Sequence, residues 1–565
     1  MERASGRRDG AILAAVALFC LLPFVGKAFH IDDPMYIWAA EQVVADPADF
    51  YGFDVNWHGF FEPNWIANKN PPLIGFWLAA VSLALGWSEV ALHVGMLIPL
   101  GALLLAVYGL GRRLTREGAL GSGLALLALP VVLVSATTVM SDVLMLSLWC
   151  GATWLWMRGV DSGRVGPLLV AGLLMGLCPL AKYFGIALLP LLAAWALARR
   201  APLRLWGPPL LVPLAIVGAY EIYMRSRYGW SPVLDIGTYA LTYAPGRARY
   251  GVVERAIVGL CFLGGLTLPV LFAAPLLWTR RTLAALAAAG VAATLLAPAL
   301  GSLGRLPLVD EAGARWDLAL HLGIFGLAGA HLLVLGGIDL WRRRDADALL
   351  LVLWLGGTWF FASFTNWTAT ARSLLPAAPA AALLLVRALE RSPDPRPVER
   401  RPWLAVPLAL GLCAGLVVAE ADAALANAAR RAAREITQVW APQAPRVVFQ
   451  GAWGFQQYMQ QAGAERLHID GMQLRPGDVI VTPGTNTNLV ELPSEIQTLL
   501  EVRHFPSGRF AATLSPERGA GFYASLWGPL PFVFGPAPPE RYRVTRVVVP
   551  YRIALRPPRV SEPRR

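Results

Sequence analysis

Long apolar runs recur along the whole chain with only short polar stretches between them, and this repetition constrains the fold more than any other feature. A helix needs about 20 mostly apolar residues to cross about 30 Å of hydrocarbon, where no water is available to satisfy an open backbone. Runs that meet or approach this length lie near 11–29, 89–111, 118–135, 138–157, 167–181, 183–199, 203–224, 254–278, 282–301, 318–340, 348–366, 371–389 and 402–419. They predict an all-α polytopic membrane protein of about 13 transmembrane helices. Composition agrees, with 56% hydrophobic and 15% charged residues where soluble domains carry about a quarter charged. The first run follows a basic start (Arg3, Arg7, Arg8) and no convincing cleavage site follows it, so it is expected to be an uncleaved span.

The net charge of +12 does not point to nucleic acid. Its basic residues sit in short clusters between apolar runs rather than on one polar face. With the N-terminus inside, alternate loops hold Arg112/Arg113/Arg116, Arg158/Arg164, Arg199/Arg200/Arg204, Arg280/Arg281, Arg342/Arg343/Arg344 and the basic run 387–401. This is the arrangement expected of cytoplasmic loops. An odd number of spans then leaves the C-terminus extracytoplasmic, which predicts a multi-pass protein of the inner cell membrane.

Two domains follow: residues 1–419, a transmembrane catalytic domain with its first outer loop at 30–88, and residues 420–565, a small soluble α/β domain outside the membrane. Short strand-like runs, 446–450 (RVVFQ) and 478–482 (DVIVT), lie between Gly and Pro turns in the second. Residues 419–439 contain neither Gly nor Pro and favour a helix leading out of the last span. The run Gly451 to Tyr458 reads better as domain core than as an aromatic binding surface. The five cysteines (Cys20, Cys150, Cys178, Cys261, Cys413) lie inside apolar stretches without CxxC spacing and are expected to be small buried hydrophobes. No Cys/His metal spacing occurs, so neither a metal nor a cofactor is expected.

The first outer loop opens HIDDPMYIWAAEQV, and adjacent carboxylates at the lip of a membrane helix are costly unless solvated, paired or used. Asp32 and Asp33 are therefore either functional or caps of a helix starting near Pro34. Further on, Asn68-Lys69-Asn70-Pro71-Pro72-Leu73 leads into a short amphipathic run ending near Gly86, too short for a comfortable crossing and expected to be interfacial or re-entrant. Met140-Ser141-Asp142, Ala181-Lys182-Tyr183 and Ala371-Arg372-Ser373-Leu374-Leu375-Pro376 each stand at the edge of a later span.

In their order, these motifs resemble the GT-C glycosyltransferases, in the branch of protein O-mannosyltransferases and lipid A aminoarabinose transferases. The resemblance runs over about the first 390 residues: Asp32-Asp33-Pro34-Met35-Tyr36 matches the branch's acidic first-loop motif, and Pro71-Pro72-Leu73 with Phe76-Trp77 its proline and aromatic motif. The family's lysine directly precedes proline, whereas Asn70 intervenes here. The resemblance implies a sugar moved from a polyprenyl-phosphate donor to an extracytoplasmic lipid, protein or glycan. It implies Asp32 as general base, with Asp33 shaping its neighbour.

Such chemistry needs a base for the acceptor proton and cations for the departing phosphate. Lys69, Lys182 and Arg372 fall on the outer side and are the candidate phosphate partners; Lys182 reads equally as a snorkelling interfacial cation. Asp142 can contact substrate, cap its helix or pair with Lys182. Tyr36 and His58 are further candidate substrate contacts, and His30 stands beside the acid pair. The main rival is a multi-span transporter or flippase, which predicts ionisable residues near the bilayer midplane and two-fold repetition. Here the acids gather in one outer loop and no repetition is visible.

Overall fold

The computed structural model describes residues 2–242, 249–391 and 405–554. Of the predicted basic run 387–401, positions 392–401 lie outside the described residues, as do the first residues of the run at 402–419.

The fold is mostly helical, and each predicted apolar run falls on helix within the described residues. Eight helices among those residues are long and apolar enough to cross a membrane, or up to nine if a bent pair counts as one span. The sequence count of about 13 is higher because the remaining runs are short or interrupted. Runs 167–181 and 183–199 become Val165–Ala181 and Tyr183–Ala198, both shorter apolar helices. The run at 254–278 breaks into Val252–Leu266, Pro269–Phe272 and Ala274–Leu277, as expected where Pro269 and Pro275 remove helix donors. One helix, Arg280–Leu300, has a mean hydropathy of 2.0 yet only 6% of it is buried in the protein. An apolar surface left so bare suits lipid rather than water.

The bent pair has a direct bearing on the site. Ala119–Leu127 and Pro130–Ala136 meet at 68°, with Pro130 starting the second piece, where a missing donor costs nothing. The bend brings Thr137 and Val139 under the first outer loop, where the Val139 amide donates to Asp33 Oδ1 at 3.1 Å. In that loop, Asp33–Ala45 and Leu73–Leu85 form two short helices. They approach closely at Gly75, where an added Cβ would lie 3.5 Å from the Ala39 methyl. The helix expected after Leu73 is therefore present, and it has 13 residues.

The last long helix, Ala405–Trp440, leads into a five-stranded mixed sheet. Its strand order is Gln497–Phe505, Glu540–Val547, Val479–Pro483, Val447–Phe449, Glu465–Arg466. Val479–Pro483 pairs in parallel with Val447–Phe449 and antiparallel with Glu540–Val547. Strands thus appear at Val447–Phe449 and Val479–Pro483, within or beside the strand-like runs 446–450 and 478–482, whose β-branched residues favour them.

This sheet is stitched to the first outer loop. Helix Trp453–Gln461 places Tyr458 to accept from the Phe29 amide at 2.7 Å and donate to Glu89 Oε1 at 3.1 Å. Gly454 is needed there, since a Cβ would come within 1.9 Å of the Phe29 carbonyl oxygen. Buried Arg466 donates to the carbonyl of Asn56, the carbonyl of Trp57 at 2.8 Å and Gln456 Oε1. Burial away from any acid pulls its guanidinium down to about 9. The run 451–458 packs inward, with Phe455 2% exposed. Of the cysteines expected to be buried, Cys413 is exposed, because it lies on an outward face of the helix that begins at Ala405.

Candidate active site

The chain turns sharply just before the acid pair. Ile31 has φ 48°, in the left-handed region, where a β-branched residue is strained by about 1–3 kcal/mol. The turn is held by the His30 amide donating to Asp33 Oδ2 at 2.8 Å and by the Phe29 contact to Tyr458. Asp32 occupies the N-cap of Asp33–Ala45 without making a side-chain cap hydrogen bond. Its carboxylate is free to face elsewhere, and Tyr36, one turn on, shares its side of the helix.

What they face is Arg372. Thr370 caps the short helix Ala371–Leu374, accepting from the Ser373 amide at 2.8 Å, and so fixes where Arg372 leaves the backbone. Its Nε donates to Asp142 Oδ2 at 2.8 Å, Nη1 to Asp32 Oδ2, and Nη2 to the Tyr36 hydroxyl at 3.0 Å. Lys182 Nζ donates to the other oxygen of Asp142. Asp142 opens the helix Asp142–Ser162, where the helix dipole favours an acid, and Lys182 follows Val165–Ala181 directly. Five candidates from distant segments, Asp32, Tyr36, Asp142, Lys182 and Arg372, therefore form one cluster of two acids, two cations and a phenol. Side-chain exposure grades across it, 31% for Asp32 and 21% for Lys182 against 2% for Asp142. The accessible edge is the one carrying Asp32 and Lys182.

The other candidates lie elsewhere. Asp33 is fully buried, with its oxygens on the amides of His30 and Val139 and no hydrogen bond to Asp32. Burial pushes its carboxyl up to about 7, against the opposing pull of Lys27. Lys69 is outside the cluster, paired with Asp235 Oδ2 at 2.9 Å and 5.2 Å from the Trp230 ring centre. His58 bonds Glu62 across the small hairpin of Asp54–Asn56 and Phe61–Pro63.

A second buried cluster escaped the sequence. Asp422 accepts from Lys27 Nζ at 2.6 Å, Thr513 at 3.0 Å and Tyr523 at 2.8 Å, while Lys27 also donates to Thr137 at 3.2 Å. His30 Nε2 lies 3.7 Å from Asp422 Oδ1, and burial lowers the His30 imidazole to about 4. A lone charge inside the apolar run 11–29 was the available signal for Lys27, whereas Asp422 lies beyond the run 402–419 and beside Glu420. The C-terminal region also reaches the segment bearing Arg372. The Ala371 amide donates to the Phe522 carbonyl and the Ser525 amide to the Ala369 carbonyl, both at 2.8 Å. Among the described residues, no group of three or more His, Cys, Asp or Glu side chains is placed to hold a metal ion.

Comparison with known proteins adds to this geometry. The family model described as dolichyl-phosphate-mannose-protein mannosyltransferase matches residues 69–220. The GT-C resemblance stands on that match. It supports a membrane glycosyltransferase, and it contains Lys69, Asp142 and Lys182, while Asp32, Tyr36 and Arg372 lie outside it. Among solved structures, the chain is similar to apo ArnT from Cupriavidus metallidurans, at 16% identity over 85% of this chain and 93% of that one, with a TM-score of 0.41. ArnT from the same organism bound to undecaprenyl phosphate gives 17% identity, coverages of 84% and 93%, and a TM-score of 0.43. The apo oligosaccharyltransferase of Archaeoglobus fulgidus gives 14% identity, coverages of 82% and 64%, and a TM-score of 0.47. No curated protein sequence matches the chain.

Proposed function

We propose that this protein transfers a glycosyl group from a polyprenyl-phosphate donor to an acceptor on the extracytoplasmic side of the inner membrane, with Asp32 as general base. The reading rests on the Arg372 clamp, which gathers Asp32, Tyr36, Asp142 and Lys182 at one point. The name of the family matched over 69–220 supports a lipid-phosphate donor. Asp32 is the exposed acid of the cluster, and Arg372 fixes the direction of its carboxylate. As the acceptor hydroxyl attacks the anomeric carbon, Asp32 takes its proton, and the sugar–phosphate bond breaks with its electron pair leaving on phosphate. Lys182 and Arg372, held by Asp142 before the donor arrives, then serve as charge-assisted donors to that phosphate. Lys69 joins them once its pair with Asp235 opens. Asp33 supports the turn that aims Asp32. About 13 crossings, a cytoplasmic N-terminus, the division at residue 420 and the absence of a metal or cofactor requirement belong to the same proposal.

The test is transfer from a purified polyprenyl-phosphate sugar, with donor binding measured in parallel so that chemistry is separated from affinity. Asp32→Asn keeps the size but cannot take the proton, and should lose about 10²–10⁴ in rate with donor binding retained. Wild-type transfer by that variant sinks the mechanism.

A further inference from the structure

A cleft of about 440 Å³ lies on the first outer loop, between residues 49–65 and the end of helix Leu211–Tyr228. We propose that this cleft binds a neutral, hydroxyl-rich saccharide, and that the saccharide is part of the acceptor; this rests on the glycosyl-transfer reading above. Its volume is in the range of small-ligand pockets. The lining supplies what sugar recognition requires, an aromatic platform beside fixed polar groups. Trp65 stacks on Tyr228 with ring centres 4.9 Å apart and planes at 27°, and both rings line the cleft.

The polar groups are built in. Asp49 is held at both oxygens, by Arg227 at 2.8 Å and by the Tyr228 hydroxyl at 2.8 Å. The Arg227 contact keeps the Asp49 carboxyl below its usual range. Its carboxyl group also covers Gly52, where an added Cβ would lie 2.2 Å from an oxygen. A glycine is thus required for this placement. Asp54, exposed on the same lining, takes no side-chain hydrogen bond among the described residues. Its two oxygens remain available to hydroxyl donors.

Charge selects among ligands. The lining carries Asp49, Asp54 and Arg227, and its one cation is already committed to Asp49, so the net charge of −1 disfavours a phosphate-bearing lipid headgroup. The cleft also adjoins the loop segment that carries Lys69. Tyr51, next to Gly52, is buried, and its hydroxyl donates to the Asn70 carbonyl at 2.6 Å, one residue from Lys69. A glycan seated on Trp65 therefore lies beside the loop motif rather than at a remote surface.

The experiment is saturation-transfer NMR on the full chain in detergent. The probes are neutral gluco-, manno- and galacto-tetraoses, a Ser/Thr-containing peptide and inorganic phosphate. At least one tetraose should bind, and Trp65→Ala and Asp54→Asn should each weaken it about tenfold. Asp54→Asn, at an exposed position, guards against a folding artefact at Trp65. Binding of the peptide or of phosphate alone, no binding of any tetraose, or equal binding by Asp54→Asn overturns the assignment. None of these outcomes alters transfer by Asp32→Asn, and an active Asp32→Asn leaves the cleft result untouched, so the two readings fail separately.

Discussion

Two ionic clusters meet near the start of the first outer loop and differ in one respect. Around Asp422 the pair with Lys27 has no side-chain exposure on either partner, and hydroxyls from Thr513 and Tyr523 complete the acid's shell. Around Arg372 the same charge chemistry is left open, with Asp32 31% exposed and two acids sharing two cations. A sealed pair has its partners chosen in advance and can only hold segments together. An open one can exchange a carboxylate for a phosphate, because its cations are reachable and its charges balance. The difference separates a fastening from the proposed transfer site, although both look alike as charges in apolar surroundings.

Substitutions that affect function without stability, or the reverse, can break this distinction. The largest effect is expected for Arg372→Lys, since one ammonium cannot reproduce a planar fork on Asp32, Asp142 and Tyr36; transfer should fall at least about 10² with little change in Tm. A melting point that falls along with activity would place Arg372 with the fastenings. Next, Asp422→Ala strands Lys27 in the interior and should cost about 3–5 kcal/mol, read as a lower Tm and less folded protein. The activity remaining per folded molecule should stay near wild type. The paired change Lys27→Met with Asp422→Leu should recover most of that loss, because apolar replacement of a whole buried pair is often neutral or better. Failure to recover would mean that the hydroxyls of Thr513 and Tyr523 dominate the cost.

The smallest effect concerns an acid that makes no salt bridge among the described residues. Burial pushes Glu540 from its usual 4.5 up to about 7. A raised carboxyl favours the protonated folded state, so stability falls as pH climbs from the unfolded value towards 7. Glu540→Gln should therefore be stabilised relative to wild type at pH 8, by about 3 kcal/mol at most, and the gap should close by pH 4. Melting curves at the two pH values decide it, and a gap independent of pH would show that Glu540 is not buried as an acid.

The helices were legible because the apolar runs fix their positions without reference to partners. All five residues of the cluster, Asp32, Tyr36, Asp142, Lys182 and Arg372, were legible as motif positions at span edges, and the structure joins them. Pairings across hundreds of residues were not legible. Lys27 sits at the end of an apolar run and reads as an interfacial cation until Asp422, 395 positions away, is seen against it. Lys69 was legible as a cation of the loop, but nothing in the loop indicates its pair with Asp235. The runs and the long helices differ in number where prolines break the helix, since hydropathy averages over a kink and length does not. The kink at 128–129 escaped for the same reason, yet it delivers Val139 to Asp33.

The contacts from Phe522 and Ser525 to the segment carrying Arg372 have a consequence for when this protein first becomes competent. The residues that secure the arginine's backbone are made some 150 positions after it, which at 5–20 residues per second corresponds to on the order of ten seconds of synthesis. On the topology proposed above, they must also cross the membrane before they can dock. A half-made chain thus holds its acids and its cations but lacks the brace that aligns them. The order of synthesis therefore delays the site, whose arginine segment is braced only once residues 522–525 have been made.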